Sequence, residues 1–402
     1  MQERAYVKEF EKLGFGMFVH FGLYSMVEKG EWYWKSRANE QEQKAYWELP
    51  KKFKVNQNWA TELVKNAKRA GCRYITLTTR HHDGFSLYDT CGLNDFDAPH
   101  SACGRDLIRE FVDACRAGGI VPFFYHTHLD WHHPDYLTDF PKYLAYLRKS
   151  VEILCKNYGK IGGLWFDGMW DKAHLGDDWE EDAPYKTIRR YQPDAMIINN
   201  TGLHRRGALG HIEIDSVTFE RGKPCEVDNS DRPRAGEMCE VLNDHWGYAA
   251  EDCCYKSLPT LLKSLMDCRH CGCNFLLNVG PMGNGRIKEI DRGILAEIGK
   301  WIKSTGDMVY RVKPCEVEAE GAYVLSDGTH YYAVIEDVPM KADTNVAIGA
   351  PCGVVKILDD RTLQNAIWLD SGEAADVDGN TVAIKPFPYG TSRYIRVLRF
   401  EL

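Results

Sequence analysis

A chain of 402 residues with 44% hydrophobic and 27% charged residues has the composition of a folded protein, long enough for a large catalytic domain plus a smaller companion. Its formal net charge of −8 supplies no broad positive field, so nucleic acid and anionic membranes are not expected partners. No run reaches the about 18 apolar residues of a membrane span, the first residues lack a secretory pattern, and fourteen cysteines without scaffold spacing are expected as thiols in a reducing cytoplasm.

Short apolar runs alternate with helical patterns as far as residue 305, the pattern of β/α architecture. Strands are expected at 16–21, 74–79, 120–125, 163–167, 195–199, 211–215 and 274–279. Between them, Leu63, Val64, Ala67 and Ala70 form one helical stripe, and Tyr143, Leu144, Leu147, Val151 and Leu154 another. Several of the runs end in polar or aromatic groups. Phe18-Val19 leads to His20, Thr76-Leu77 to Arg80-His81-His82-Asp83, Phe123-Phe124 to Tyr125-His126, and Leu164-Trp165-Phe166 to Asp167. In a (β/α)8-like TIM barrel these ends meet above one mouth, whereas a doubly wound sheet would show a Gly-rich phosphate loop, which is missing. From Tyr310 onward, short alternating segments at 331–335 and 381–384 with Gly and Asp turns predict a small antiparallel β-domain. The expected organisation is therefore a catalytic domain at 1–306 and a β-domain at 307–402.

Retaining glycoside hydrolysis needs one nucleophilic and one proton-donating carboxyl, roughly 5 to 5.5 Å apart. Asp167 suits the first role: it ends an apolar strand, precedes Gly168 and lies between Trp165 and Trp170. The acid should have a raised pKa. Glu237, in Gly236-Glu237-Met238-Cys239, is the first choice because Glu220 has Arg221 beside it, which favours the charged form if the side chains meet; Glu220 is the alternative. His81-His82-Asp83 and the histidines at 126, 128, 132 and 133 have metal-ligand chemistry. Adjacent histidines on a strand point to opposite faces, however, and polar groups at a barrel mouth bind sugar hydroxyls unaided, so hydrogen bonding is the preferred reading. Cys268-x-x-Cys271-x-Cys273 lacks the second ligand pair of a zinc site and reads as thiols in a helix-to-strand connection.

The joint order of Phe18-Val19-His20-Phe21-Gly22, Glu31-Trp32-Tyr33, His81-His82-Asp83-Gly84-Phe85, Asp130-Trp131-His132-His133-Pro134, Leu164-Trp165-Phe166-Asp167-Gly168, Glu237-Met238-Cys239 with Trp246-Gly247-Tyr248, and Leu276-Leu277-Asn278-Val279-Gly280-Pro281 resembles the family 29 α-L-fucosidases along essentially the whole chain. The resemblance implies a barrel followed by a β-sandwich, a retaining exo-glycosidase acting on fucosylated oligosaccharides or glycoconjugates, and no metal or organic cofactor. It makes Asp167 the nucleophile and places His20, Glu31, Trp32, His81, His82, Tyr125 and Trp165 around the fucose ring. The Trp that usually precedes the Glu of the acid/base region is replaced here by Gly236, so both Glu237 and Glu220 stay open. The competing readings are a glycosidase for a related L-sugar such as an α-L-galactoside, a sugar-binding homologue without turnover, and a metal-dependent hydrolase built on the histidines.

Overall fold

The computed structural model describes residues 4–201, 210–341, 347–348, 353–391 and 394–402. Eight parallel strands close into a barrel in chain order: β1 (Phe15–Val19), β2 (Tyr74–Arg80), β3 (Val121–Thr127), β4 (Gly163–Asp167), β5 (Met196–Asn199), β6 (Ser216–Glu220), β7 (Ala235–Val241) and β8 (Asn274–Val279). Closure is direct, with Phe15 of β1 paired to Phe275 of β8. Helices Trp59–Ala70, Leu107–Gly118, Phe140–Asn157, Asp182–Tyr191, Leu258–His270 and Glu289–Ser304 surround it. Their ends follow from local chemistry. Asp106 caps the second of these by accepting from the Arg109 N–H, and Gly119 stops it at φ +69.

Phe18, Tyr74, Phe123, Tyr125, Trp165, Met196, Ile198, Ala235, Cys239 and Leu276, drawn from all the strands but β6, pack together as the barrel interior. The helix Ala5–Glu11 plugs the N-terminal end: the Phe10 ring lies 5.6 Å from that of Tyr74 and 5.5 Å from that of Phe123. Strand side chains alternate between faces, so the inward set on β4 is Gly163, Trp165 and Asp167. On β7 it is Ala235, Glu237, Cys239 and Val241.

Two expectations need correction. The segment 211–215 is a turn, with the Ile214 N–H bonded back to the His211 carbonyl, and the strand begins at Ser216. Asp215 ends that turn fully buried, its carboxylate held by Arg4 and Arg189 at 2.5 and 2.6 Å. The residues around Glu237 are the seventh barrel strand, a strand the sequence pattern did not announce.

Beyond the helix Glu289–Ser304, a five-stranded antiparallel sheet starts at Lys313. Its Val324, Ala333, Ile335, Leu398 and Phe400 share a core with Val355, Ile357 and Val382 of a four-stranded antiparallel sheet, giving a two-layer sandwich. The opposite face of the larger sheet packs on the barrel. Leu325, Tyr332, Val334 and Val397 join the same core as Ile298, Trp301 and Ile302, and the Trp301 indole N–H donates to the Ile395 carbonyl at 2.9 Å. Among the described residues no helix is long and apolar enough to cross a membrane.

Candidate active site

The inward positions turn from apolar to polar at the C-terminal ends of the strands, and Asp167 lies at the centre of that change. Its Oδ2 accepts from the Tyr125 hydroxyl at 3.0 Å, and its Oδ1 accepts from Trp170 Nε1 at 2.9 Å and from Asn200 Nδ2 at 3.3 Å. Donors on both oxygens fix the carboxylate's orientation. Gly168 follows at φ +105, and a Cβ there would sit 3.2 Å from the Leu129 backbone nitrogen, so the turn that presents Asp167 requires glycine.

The two glutamates separate clearly. Glu220 ends β6, partly exposed, and accepts from Asn200 Nδ2 at 2.7 Å, the same nitrogen that contacts Asp167. With Asp167 Oδ1 3.3 Å and Glu220 Oε2 2.7 Å from one atom, the two oxygens are no more than about 6 Å apart. Burial, then the Asp167 charge, push the Glu220 carboxyl up to about 7. Arg221 does not undo this. It adopts a positive φ and reaches toward Asp244, whose Oδ1 is 3.9 Å away. Glu237 pairs with Thr218, one inward step below Glu220, and is 1% exposed. Its oxygens accept from the Tyr74 hydroxyl at 2.5 Å and Trp165 Nε1 at 3.0 Å, and burial pushes it also to about 7. Sequence puts Glu237 first, but the glutamate that shares a hydrogen-bond partner with Asp167 is Glu220.

The rim histidines are neutral at ordinary pH. Burial takes His20 and His82 down to about 3 and His81 well below its usual value. Their partners fix two tautomers. Asn278 spends its N–H on the Trp246 carbonyl, so its Oδ1 accepts from His20 Nδ1 at 2.7 Å. The Thr127 hydroxyl donates to the Leu129 carbonyl, so its oxygen accepts from His82 Nδ1 at 2.7 Å. In both rings Nε2 is left with a lone pair, and that of His82 stands 3.5 Å from Asp167 Oδ2. Glu31 is buried, accepts from the Gly247 N–H at 2.7 Å and is raised by burial. Trp32, 36% exposed, places its ring 5.5 Å from His82 and 5.7 Å from Trp170. Trp165, beneath Asp167, stacks on Tyr125 with centroids 5.6 Å apart and planes 20° from parallel.

All ten residues singled out from sequence therefore gather at the C-terminal end of the barrel, with Tyr125, Trp165 and Glu237 in its interior and the other seven around its mouth. Sequence reasoning missed Asn200 and the supports Asn278 and Thr127. Asn200 directly follows an apolar strand, the signal that had exposed Asp167. Among the described residues, the His/Cys/Asp/Glu group compact enough to share one cation is Asp244, Asp252 and Cys254, which includes no rim histidine. Asp252 Oδ2 there is already bonded to His245 Nδ1 at 2.7 Å and to the Asp244 N–H at 2.9 Å. Cys268 and Cys273, at the join of helix Leu258–His270 and β8, are buried free thiols. A cavity of about 1520 Å³ opens at the far end of the barrel beside Arg4, Tyr6 and Phe10, but Asp167 and Glu220 do not line it.

The family model described as alpha-L-fucosidase matches residues 1–307. The solved alpha-L-fucosidase isoenzyme 1 of Paenibacillus thiaminolyticus is 30% identical, covers 99% of this chain and 99% of its own, and superposes with a TM-score of 0.85. Tissue alpha-L-fucosidase of Macaca fascicularis is 25% identical over 401 residues, 89% of this chain and 81% of that protein. A fucosidase of Bacteroides thetaiotaomicron, solved as a trapped covalent intermediate with 2-fluoro-fucosyl fluoride, shares the fold at 21% identity and a TM-score of 0.78, covering 100% of this chain and 96% of its own.

Proposed function

The chain belongs to the α-L-fucosidase family of glycoside hydrolases, and from that premise we propose that it releases terminal α-L-fucosyl residues with retention, Asp167 attacking the anomeric carbon while Glu220 protonates the departing oxygen. The observation that carries this assignment is the single Asn200 nitrogen shared by both carboxyls, 3.3 Å from one and 2.7 Å from the other. That spacing fits the roughly 5 to 5.5 Å of a retaining pair; an inverting pair, at about 6.5 to 9.5 Å, leaves room for a water between.

In the first step the bond from Asp167 to the anomeric carbon forms as the glycosidic bond breaks, and the Glu220 proton passes to the leaving oxygen. In the second, Glu220 takes a proton from water as that water attacks the anomeric carbon, and Asp167 departs as carboxylate. The Asp167 charge helps keep Glu220 protonated in the free enzyme, and its consumption in step one favours the ionised Glu220 that step two needs. The lone pairs on Nε2 of His20 and His82 accept from sugar hydroxyls, Glu31 accepts another, and Trp165 and Trp32 bound the ring with apolar faces. The free thiols, several of them buried, support a reducing compartment such as the cytoplasm as the working environment.

Labelling with 2-fluoro-fucosyl fluoride and mapping the modified peptide tests the reading. The adduct is expected on Asp167, with α-fucose as the first-formed product. An adduct on another carboxylate, or β-fucose released first, overturns it.

A further inference from the structure

A fully buried carboxyl that takes no part in proton transfer needs another reason to be where it is. Glu237 faces into the barrel and meets two donors, one on each oxygen: the Tyr74 hydroxyl at 2.5 Å and Trp165 Nε1 at 3.0 Å. Tyr74 opens β2 and Trp165 is central to β4, so the carboxyl ties two strands that are not neighbours in the sheet. Trp165 is 2% exposed and wedged between Phe18, with centroids 5.2 Å apart, and Tyr125, stacked at 5.6 Å. The Tyr125 hydroxyl, in turn, donates to Asp167 Oδ2. An indole has one N–H and no acceptor, so without a partner it would be a buried orphan donor, free to swing toward another.

We propose that Glu237 is a positioning residue that holds the Trp165 indole as the rigid floor of the fucose site and, through its stack on Tyr125, sets the hydroxyl that orients the nucleophile. This rests on Asp167 and Glu220 being the reacting pair. The carboxyl gives each donor its own acceptor oxygen. In Glu237→Leu neither the indole N–H nor the Tyr74 hydroxyl has one, whereas in Glu237→Gln the new NH2 can turn to the Tyr74 oxygen, which accepts as well as donates, and the indole bond survives. The rigidity is local but its readout is catalytic, because a shift well below 1 Å in the floor moves both the sugar and the Tyr125 hydroxyl relative to Asp167.

The test is a double-mutant cycle of Glu237→Leu, which removes both acceptor oxygens, with Trp165→Phe, which deletes the N–H and keeps an apolar ring. Each variant is assayed on an activated aryl α-L-fucoside and on a fucosyl disaccharide. Each single change is expected to raise KM about tenfold and to lower kcat less, equally for both substrates, with the alkaline limb of the pH profile unmoved. The double variant should be no worse than the poorer single, since both remove the same bond. Additive losses would show that Glu237 does not act through Trp165 and overturn the proposal. A Glu237→Leu loss confined to the disaccharide and relieved by azide would make Glu237 the acid and overturn it too. If Glu220→Ala shows no leaving-group dependence while the cycle stays coupled, the acid assignment fails and the positioning role stands. Should Glu237→Leu not fold, Glu237→Met takes its place in the cycle with the same coupling expected, and additivity there is equally decisive.

Discussion

Glu220 and Glu237 occupy adjacent strands of one barrel, both face inward, and both carboxyls are pushed up to about 7. Yet Glu220 is at the mouth, partly exposed and tied to Asp167 through Asn200, while Glu237 is sealed one step deeper between a phenol and an indole. For Glu237 desolvation alone raises the pKa; for Glu220 the Asp167 charge adds to it. A raised pKa therefore does not by itself identify an acid catalyst. What identifies it is the source of the shift, because only a group that senses the nucleophile's charge can change protonation in step with the reaction.

The sharpest way to break that contrast is at the nucleophile. Asp167→Gly should lose about 10⁴-fold or more in kcat, and azide should restore turnover by a single displacement, giving β-fucosyl azide. Unchanged turnover removes the centre of the comparison. Next, Glu220→Ala should cost about 10²- to 10⁴-fold on fucosyl disaccharides and far less on dinitrophenyl fucoside, with azide now yielding the α-product from the covalent intermediate. Wild-type kcat/KM should fall as pH rises through about 7, because Glu220 must be protonated to donate and its free-enzyme value lies there; Glu220→Gln should abolish that limb. A smaller effect is expected of Asn200→Ala. The Asn200 N–H stabilises the Glu220 carboxylate, so its loss should move the alkaline limb to higher pH and lower kcat/KM about tenfold. Smallest is Trp301→Phe at the join of barrel and sandwich. Losing the hydrogen bond to the Ile395 carbonyl should cost about 1 kcal/mol, seen as a lower Tm with kcat/KM unchanged.

Legibility from sequence followed the strength of the local signal. Leu164-Trp165-Phe166-Asp167-Gly168 is an uninterrupted apolar run stopped by one charge and a glycine, and the structure uses it as written: β4 spans Gly163–Asp167. The strand Ala235–Val241 escaped notice because its inward side chains include a glutamate and a cysteine and it contains Gly236. That glycine has a cause visible only in three dimensions. A Cβ at 236 would lie 2.4 Å from Cys273 Sγ and 2.9 Å from Val227, so no larger residue fits. The segment 211–215 mimicked a strand with alternating Ile and acidic residues, but its Asp215 answers to Arg4, 211 positions away, a contact no local pattern encodes. The geometry favours the other of the two acids for a similar reason: Arg221 adjoins Glu220 in sequence, but the backbone turns its guanidinium toward Asp244.

The uncharged rim histidines carry a consequence for where such an enzyme can work. With His20 and His82 titrating only near about 3, mild acidification leaves their lone pairs intact as acceptors. The hydrogen bonds these two rings offer a sugar should accordingly hold from neutrality down to about pH 5, so any weakening over that range falls to the carboxyls raised into it, Glu220 and Glu237.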